Sequence, residues 1–489
     1  MAGGINLMEH MQALVGIQTS PVNFVDEGVE PLLDQFATRY GINAVMIGTV
    51  SWLGLKVGRR VSRAVEGWPD HGSQIETPLR GGSYLTPHPQ YYAGTRIKDF
   101  RATDEELAGV DILDLVVEPA HSRGIKVYAD LMEPMFNYLG HGSSESVDVP
   151  GLPQLLQVDV LGRITSEPCL NNPEYRGFLR GLIEEHCRAY PLDGIMWCNE
   201  RRSPLDAALV GKAPHCFCPA CSELAACQGI DPERARAALR DLWQVVAAVR
   251  EGERFVDGAL VEFLRVLYRN PEALLWERFW VERNKELDRE LWGIVKFCNA
   301  QIEFGLNVWN RNHLNPWRKA QWPWAEQAQW CDWVKPIVYQ HQSGGIFHDE
   351  WTPLLEGVFR DLDPELVTGL AQAVLGLQEG RFEDIVQRGF DPDTYVYGQC
   401  RDTVEQLEGK ADVYMGIGVD APRTRPDQAV CSPDIVRRSV LASFRAGAAG
   451  VIFGPAYSGM NLTTLDGAVE ALNELGLAAS TPTATGTAT

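Results

Sequence analysis

The sequence predicts a single (β/α)8 barrel, and three observations carry that expectation. Eight short segments, at 14–20, 44–50, 125–132, 193–200, 302–309, 333–340, 413–420 and 450–457, are almost continuously apolar and of strand length. Such segments suit strands buried on both faces, which belong to a parallel sheet covered by helices. Amphipathic stretches alternate with them, at 28–40, 105–123, 173–190, 272–299, 403–409, 432–446 and 464–475. An open doubly wound sheet would alternate in the same way. Here the first strand ends in GIQTS and lacks the G-x-G-x-x-G turn that such a sheet would place after it.

Excess length sits after particular strands: 51–101 after the second, 133–172 after the third, 201–271 after the fourth and 310–330 after the fifth. In this architecture the loops that follow strands build the active-site face. Residues 1–477 read as one barrel with a helical insertion at about 201–271, and the small, polar segment 478–489 reads as a disordered tail.

Composition narrows the function. Of 489 residues, Lys and Arg number 44 and Asp and Glu 65, a formal charge of −21, which disfavours nucleic acid or an anionic membrane as partner. No apolar run is long enough to span a bilayer, and MAGGINLMEHMQALVG lacks the layout of a secretory signal. Eleven scattered cysteines do not form a disulfide framework. The expectation is a soluble cytoplasmic protein; a homo-oligomer is compatible with the composition, which fixes no oligomeric state.

The stretch LDGIMWCNERRS, 192–203, is the richest in chemistry. It reads as a strand ending in Asn199 and Glu200, so the Glu200 carboxylate should project at the barrel mouth. Beside Ile195, Met196 and Trp197 it would be partly desolvated, the environment a general acid uses. Asn199 could hydrogen-bond a substrate hydroxyl. The competing role for Glu200 is an ion pair with Arg201 or Arg202. In HCFCPAC, Cys216, Cys218 and Cys221 have the C-x-C-x-x-C spacing that lets thiolates converge on one tetrahedral zinc. A fourth ligand would close a structural site, with Cys169 the first candidate and Cys198, Cys227 or His215 the others.

Together these features resemble family 42 glycoside hydrolases, the β-galactosidase family of clan A. The resemblance lies in CLNNPEYR, a helix, a strand ending in Asn-Glu, then CFCPAC, with GINAVMIGTVSW similar to the family's second-strand segment. It implies a (β/α)8 barrel, Glu200 as acid/base after Asn199, and a structural zinc on Cys169, Cys216, Cys218 and Cys221. The chain departs from the family in three places. Its second strand carries no Arg, its seventh ends in Asp420 where the family has Glu, and its eighth ends too near the terminus to leave room for a trimerisation domain.

A glycosidase of this kind acts on a saccharide with two carboxyls. Asp420 is the expected partner of Glu200, followed by Asp130 and then Glu133; the competing role of Asp420 is an ion pair with Arg423 or Arg425. Aromatic and amide side chains cluster in NVWNRNHLNPW, a mixture suited to a sugar pocket, with Asn307 and Trp309 ending the fifth strand. Tyr339 and His341 after the sixth strand, Tyr457 after the eighth, Gln18 ending the first and His88 in the loop after the second join the candidate substrate contacts. Lys335 sits early in the sixth strand, where a buried ion pair is expected. Two other readings compete with hydrolysis. One is a carbohydrate lyase or isomerase using Tyr339 or His341 as base, and the other a non-catalytic sugar-binding barrel.

Overall fold

The computed structural model describes residues 13–52, 69–72, 81–107, 109–133, 135, 149–423 and 425–477. The expected tail and parts of the long loops after the second and third strands lie outside them. Eight parallel strands close into a barrel: β1 Leu14–Thr19, β2 Ala44–Gly48, β3 Lys126–Glu133, β4 Gly194–Asn199, β5 Glu303–Val308, β6 Trp333–Pro336, β7 Asp412–Gly418 and β8 Gly450–Gly454. Each pairs with its sequence neighbours, and β1 closes the ring against β8. The predicted fold class holds.

Around the barrel lie α1 Val29–Arg39, α2 Ile112–His121, α3 Pro173–Ala189, α4 Pro219–Cys227, α5 Pro232–Arg250, α6 Ala259–Arg269, α7 Glu272–Cys298, α8 Gln340–Glu356, α9 Pro364–Leu375, α10 Tyr397–Leu407, α11 Pro433–Arg445 and α12 Leu462–Glu474. Local chemistry sets their starts. Proline occupies the first turn of α3, where an N–H would find no intrahelical partner, and the Asn172 side chain accepts from the N–H groups of Glu174 and Tyr175. The long loop after β4 contains α4, α5 and α6.

The sixth strand is shorter than its apolar run. Pro336 has no N–H to continue the ladder, one bridge between Ile337 and Gly416 extends the pairing, and α8 begins at Gln340. Inside the barrel, Leu14, Ala44, Met46, Tyr128, Met196, Trp333, Tyr414 and Ile452 form an apolar plug. Side chains two residues further along these strands lie above the plug, toward the mouth.

Candidate active site at the barrel mouth

Above the plug the lumen turns polar. Gln18 from β1 donates its amide to Asp130 Oδ2 of β3 at 2.8 Å and accepts from Lys335 Nζ of β6 at 2.5 Å. Its amide thus bridges a carboxylate and an ammonium. The Tyr339 hydroxyl donates to the same Gln18 oxygen at 3.3 Å, with Lys335 Nζ 3.5 Å away. Tyr339 reaches this position because β7 and β8 carry glycine opposite it. A Cβ on Gly418 would lie 2.7 Å from the Tyr339 Cβ, and one on Gly454 would collide with the Tyr339 hydroxyl and Gln18. Burial, then the charges of Glu200, Asp130 and Cys198, holds the Tyr339 phenol well above its ordinary value. Asp130 and Tyr339 thus share the Gln18 amide, and Cys198 Sγ donates to Glu200 Oε1 at 3.3 Å.

Strand parity decides which acids enter this layer. Glu133 is in register with Asn199, so both point away from the lumen. Glu133 is wholly buried, pairs with Arg201 and accepts from the Tyr175 hydroxyl at 2.6 Å. Asn199 donates to Asn284 of α7 at 3.1 Å. Glu200, one residue further along, takes the lumen side.

The other expected contacts are distributed unevenly. Asp420 sits at φ 47°, in the left-handed region, and its Oδ2 accepts from the N–H and side-chain amide of Asn461 at 2.7 and 3.0 Å. The carboxylate thereby binds the residue that precedes α12. His341 is buried, its ring nitrogen Nε2 3.4 Å from the Ala421 carbonyl, and burial pushes its pKa down to about 4. Asn307 is buried in the lumen wall, and its Oδ1 has no hydrogen-bond partner among the described residues. Trp309 lies under the guanidinium groups of Arg318 and Arg311, 4.6 and 5.3 Å from the ring centre, so cations occupy stacking surface expected for a sugar. These arginines belong to a buried ion-pair cluster: Glu350 pairs with Arg202 and Arg311, and Asp206 pairs with Arg202 at 2.9 Å and Arg318 at 2.6 Å. His88 is not brought to the mouth. Its Nδ1 is 2.9 Å from Glu185 of α3, in the outer helical layer. Tyr457 packs edge-on against Phe36 of α1.

Two features were not anticipated from sequence: the meeting of Gln18 with Lys335, though each residue was singled out by itself, and Asp288. Gln18 and Lys335 meet across the barrel, and no local pattern announces that contact. Asp288 of α7 lines a narrow cleft with Trp197, Asn199, Asn307, Trp309 and Trp322. It accepts from the Trp197 indole at 2.8 Å, and burial pushes its carboxyl up to about 7. An acid in helical register with the buried Leu291 and Val295 was the available signal.

The four cysteines converge. Cys169, Cys216, Cys218 and Cys221 are buried with their sulfur atoms within 4.8 Å of one another. Backbone N–H groups of Asn171, Val158 and Cys218, and the Asn171 amide, point at these sulfurs from 3.3–3.4 Å. A tetrahedral zinc with Zn–S near 2.3 Å needs sulfurs about 3.8 Å apart, and N–H donors stabilise thiolates. Cys169 Sγ lies 3.4 Å from both Cys218 and Cys221. The residues fit a metal ion.

The molecule is thus a closed (β/α)8 barrel with a polar lumen and a four-cysteine knot that joins Cys169, in the loop after β3, to Cys216, Cys218 and Cys221 in the loop after β4. Among solved structures it is similar to the β-galactosidase from the psychrophilic Marinomonas ef1, with a TM-score of 0.51 and 13% identity over 95% of this chain and 59% of that one. The β-galactosidase from the Antarctic haloarchaeon Halorubrum lacusprofundi is similar to the same degree, with a TM-score of 0.51, 13% identity and coverage of 95% and 58%. At that identity the likeness is one of fold, and the chain spans less than two thirds of either protein's length. No family profile and no curated protein matches the sequence. Among the described residues, no helix is long and apolar enough to cross a membrane.

Proposed function

We propose that the protein is a glycoside hydrolase in which Glu200 is the proton donor. The observation that carries this reading is the polar lumen, in which Glu200 lies beside Cys198 at the end of β4 while Asp130 of β3 and Tyr339 after β6 meet at the Gln18 amide. Glu200 would protonate the glycosidic oxygen as the bond to the anomeric carbon breaks, while a second carboxylate attacks that carbon or activates a water. Asp130 is favoured as the second carboxylate. Its Oδ2 is oriented by Gln18, whereas the Asp420 carboxylate is engaged by Asn461. A phenol held protonated makes Tyr339 a hydrogen-bond donor to a hydroxyl or leaving group, which favours hydrolysis over a lyase using Tyr339 as base.

Cys169, Cys216, Cys218 and Cys221 would hold a zinc ion whose role is to pin the loop after β4, since four thiolates leave no open position. None of the eleven cysteines is disulfide-bonded, which is compatible with a reducing compartment. The β-galactosidase names of the structural neighbours agree with the hydrolase class and leave the sugar open.

The test is a panel of α- and β-aryl glycosides and disaccharides incubated with wild type, Glu200→Gln, Asp130→Asn and Asp420→Asn. Release by wild type that Glu200→Gln abolishes supports the reading and names the sugar. Turnover undiminished in Glu200→Gln overturns it. Unsaturated products would transfer the site to a lyase, with His341, neutral by burial, as its base.

A further inference from the structure

We propose that Lys335 is a positioning residue which, acting through Gln18, holds the Asp130 carboxylate in the lumen as a hydrogen-bond acceptor. An ammonium group carries three N–H donors and no acceptor, so the Gln18 atom 2.5 Å from Lys335 Nζ has to be the amide oxygen. The Tyr339 hydroxyl donates to that same oxygen at 3.3 Å. With Oε1 held from two sides, the Nε2 end of the amide is turned to Asp130 and donates to Oδ2 at 2.8 Å. Turned over, the amide would set its oxygen against Asp130 Oδ2, an arrangement that only a protonated carboxyl tolerates. Lys335 selects the amide orientation, and the amide selects the carboxylate.

Two neighbouring strands make room for this link. A Cβ on Gly416 of β7 would lie 2.9 Å from Lys335 Cε, and one on Gly454 of β8 would lie 2.4 Å from Gln18 Oε1 and 2.2 Å from the Tyr339 hydroxyl. Lys335 and Gln18 are both buried. Taking an ammonium out of water is unfavourable, and an apolar side chain of the same length would fill the space without that cost. A strut in the barrel wall needs no charge, whereas orienting an amide does. The inference rests on the hydrolase reading in one respect, that Asp130 is the second carboxylate. Such a group has to be free of a proton to attack carbon or to take a proton from water.

The experiment follows the Gln18 side-chain amide by NMR in the full chain with isotope-labelled glutamine, its signal identified as the one absent from Gln18→Met. Lys335→Met keeps the length of the side chain and removes the donor. It is expected to speed solvent exchange of the Gln18 amide protons about tenfold, because the amide is released to turn. On a glycoside that the wild type cleaves, Lys335→Met is expected to lower kcat about tenfold with KM within about twofold. In an Asp130→Asn background it should add less than about twofold. Gln18→Met cuts the same link from the other end and is expected to give the same kcat loss and the same non-additivity, so the test survives a Lys335→Met that does not fold. An amide indifferent to Lys335→Met overturns the proposal. So does a kcat loss that is equally large in Asp130→Asn, the sign of a strut. A released amide together with full turnover in Asp130→Asn upholds the orienting role of Lys335 and removes Asp130 from the hydrolase reading. Where no glycoside is cleaved, the amide exchange alone decides.

Discussion

Glu133 and Glu200 stand at the carboxyl-terminal ends of neighbouring strands, and the Glu200 N–H donates to the Glu133 carbonyl at 2.8 Å. Their side chains nevertheless enter different chemical worlds. Glu133 is wrapped by Arg201 and the Tyr175 hydroxyl behind the barrel wall, wholly buried and charge-balanced. Glu200 faces the lumen, next to a thiol, in the electrostatic reach of a tyrosine whose own environment includes a second carboxylate. A buried carboxylate saturated by partners can hold structure; one left facing a mouth can exchange a proton with a ligand. The lesson extends to the rim. The Glu350–Arg202–Arg311–Arg318–Asp206 cluster is dense in charge, but its members are engaged with one another, and it belongs with Glu133.

The comparison breaks if the two glutamates fail to separate by phenotype. Glu200→Gln is expected to lower turnover about 10³-fold on whichever glycoside the panel identifies, with an unchanged melting curve. Asp130→Asn is expected to show a loss of similar direction, and kcat measured for both variants checks it. Removing metal from the cysteine knot with a chelator should lower thermal stability and loosen the loop after β4, and elemental analysis of reduced protein should return about one zinc per chain. Glu133→Gln removes the wholly buried partner of Arg201 and leaves the partly exposed Glu167, 3.6 Å away, to balance the buried guanidinium. It should cost about 3–5 kcal/mol in denaturant unfolding while, in whatever fraction folds, leaving kcat close to wild type.

Asp288 sharpens the contrast through pH. Its carboxyl is raised from 3.8 to about 7 by burial, so between those values the folded chain binds a proton that the unfolded chain has released. Stability from this group is therefore greatest below about pH 4 and is lost as pH rises to 7, by up to about 4 kcal/mol. Asp288→Asn should flatten that slope in unfolding measured across the window. The smallest effect is expected at Asp420. Asp420→Asn weakens the hold on Asn461 and should cost about 1 kcal/mol, with turnover within a few-fold of wild type. A collapse of turnover there would restore Asp420 as the second carboxylate.

Much of the fold was legible before any coordinate. The eight apolar runs are strands because both faces of a parallel barrel strand are covered, and the boundary errors fall where backbone chemistry intervenes, as at Pro336. The cysteine knot was legible too, since three of its four members lie within six residues and their spacing alone brings the sulfurs together. Glu200 could be placed at the mouth because it closes a recognisable strand. Asn199 could not be oriented, because a shift of one residue along a strand exchanges lumen for wall, and only the register with Glu133 fixes which is which.

The sequence by itself therefore determined the barrel, the position of the long loops and the grouping of Cys216, Cys218 and Cys221, all of which follow from periodicity and short-range spacing, while the choice of Cys169 as their fourth partner was settled by the fold. Tertiary structure alone decided which carboxylates share the lumen, that Lys335 meets Gln18 across the barrel, that Asp420 turns to Asn461 and that His88 stays with Glu185. The physical reason is distance along the chain. Contacts between strands far apart in sequence depend on register, side-chain parity and single backbone torsions, and no local pattern encodes them.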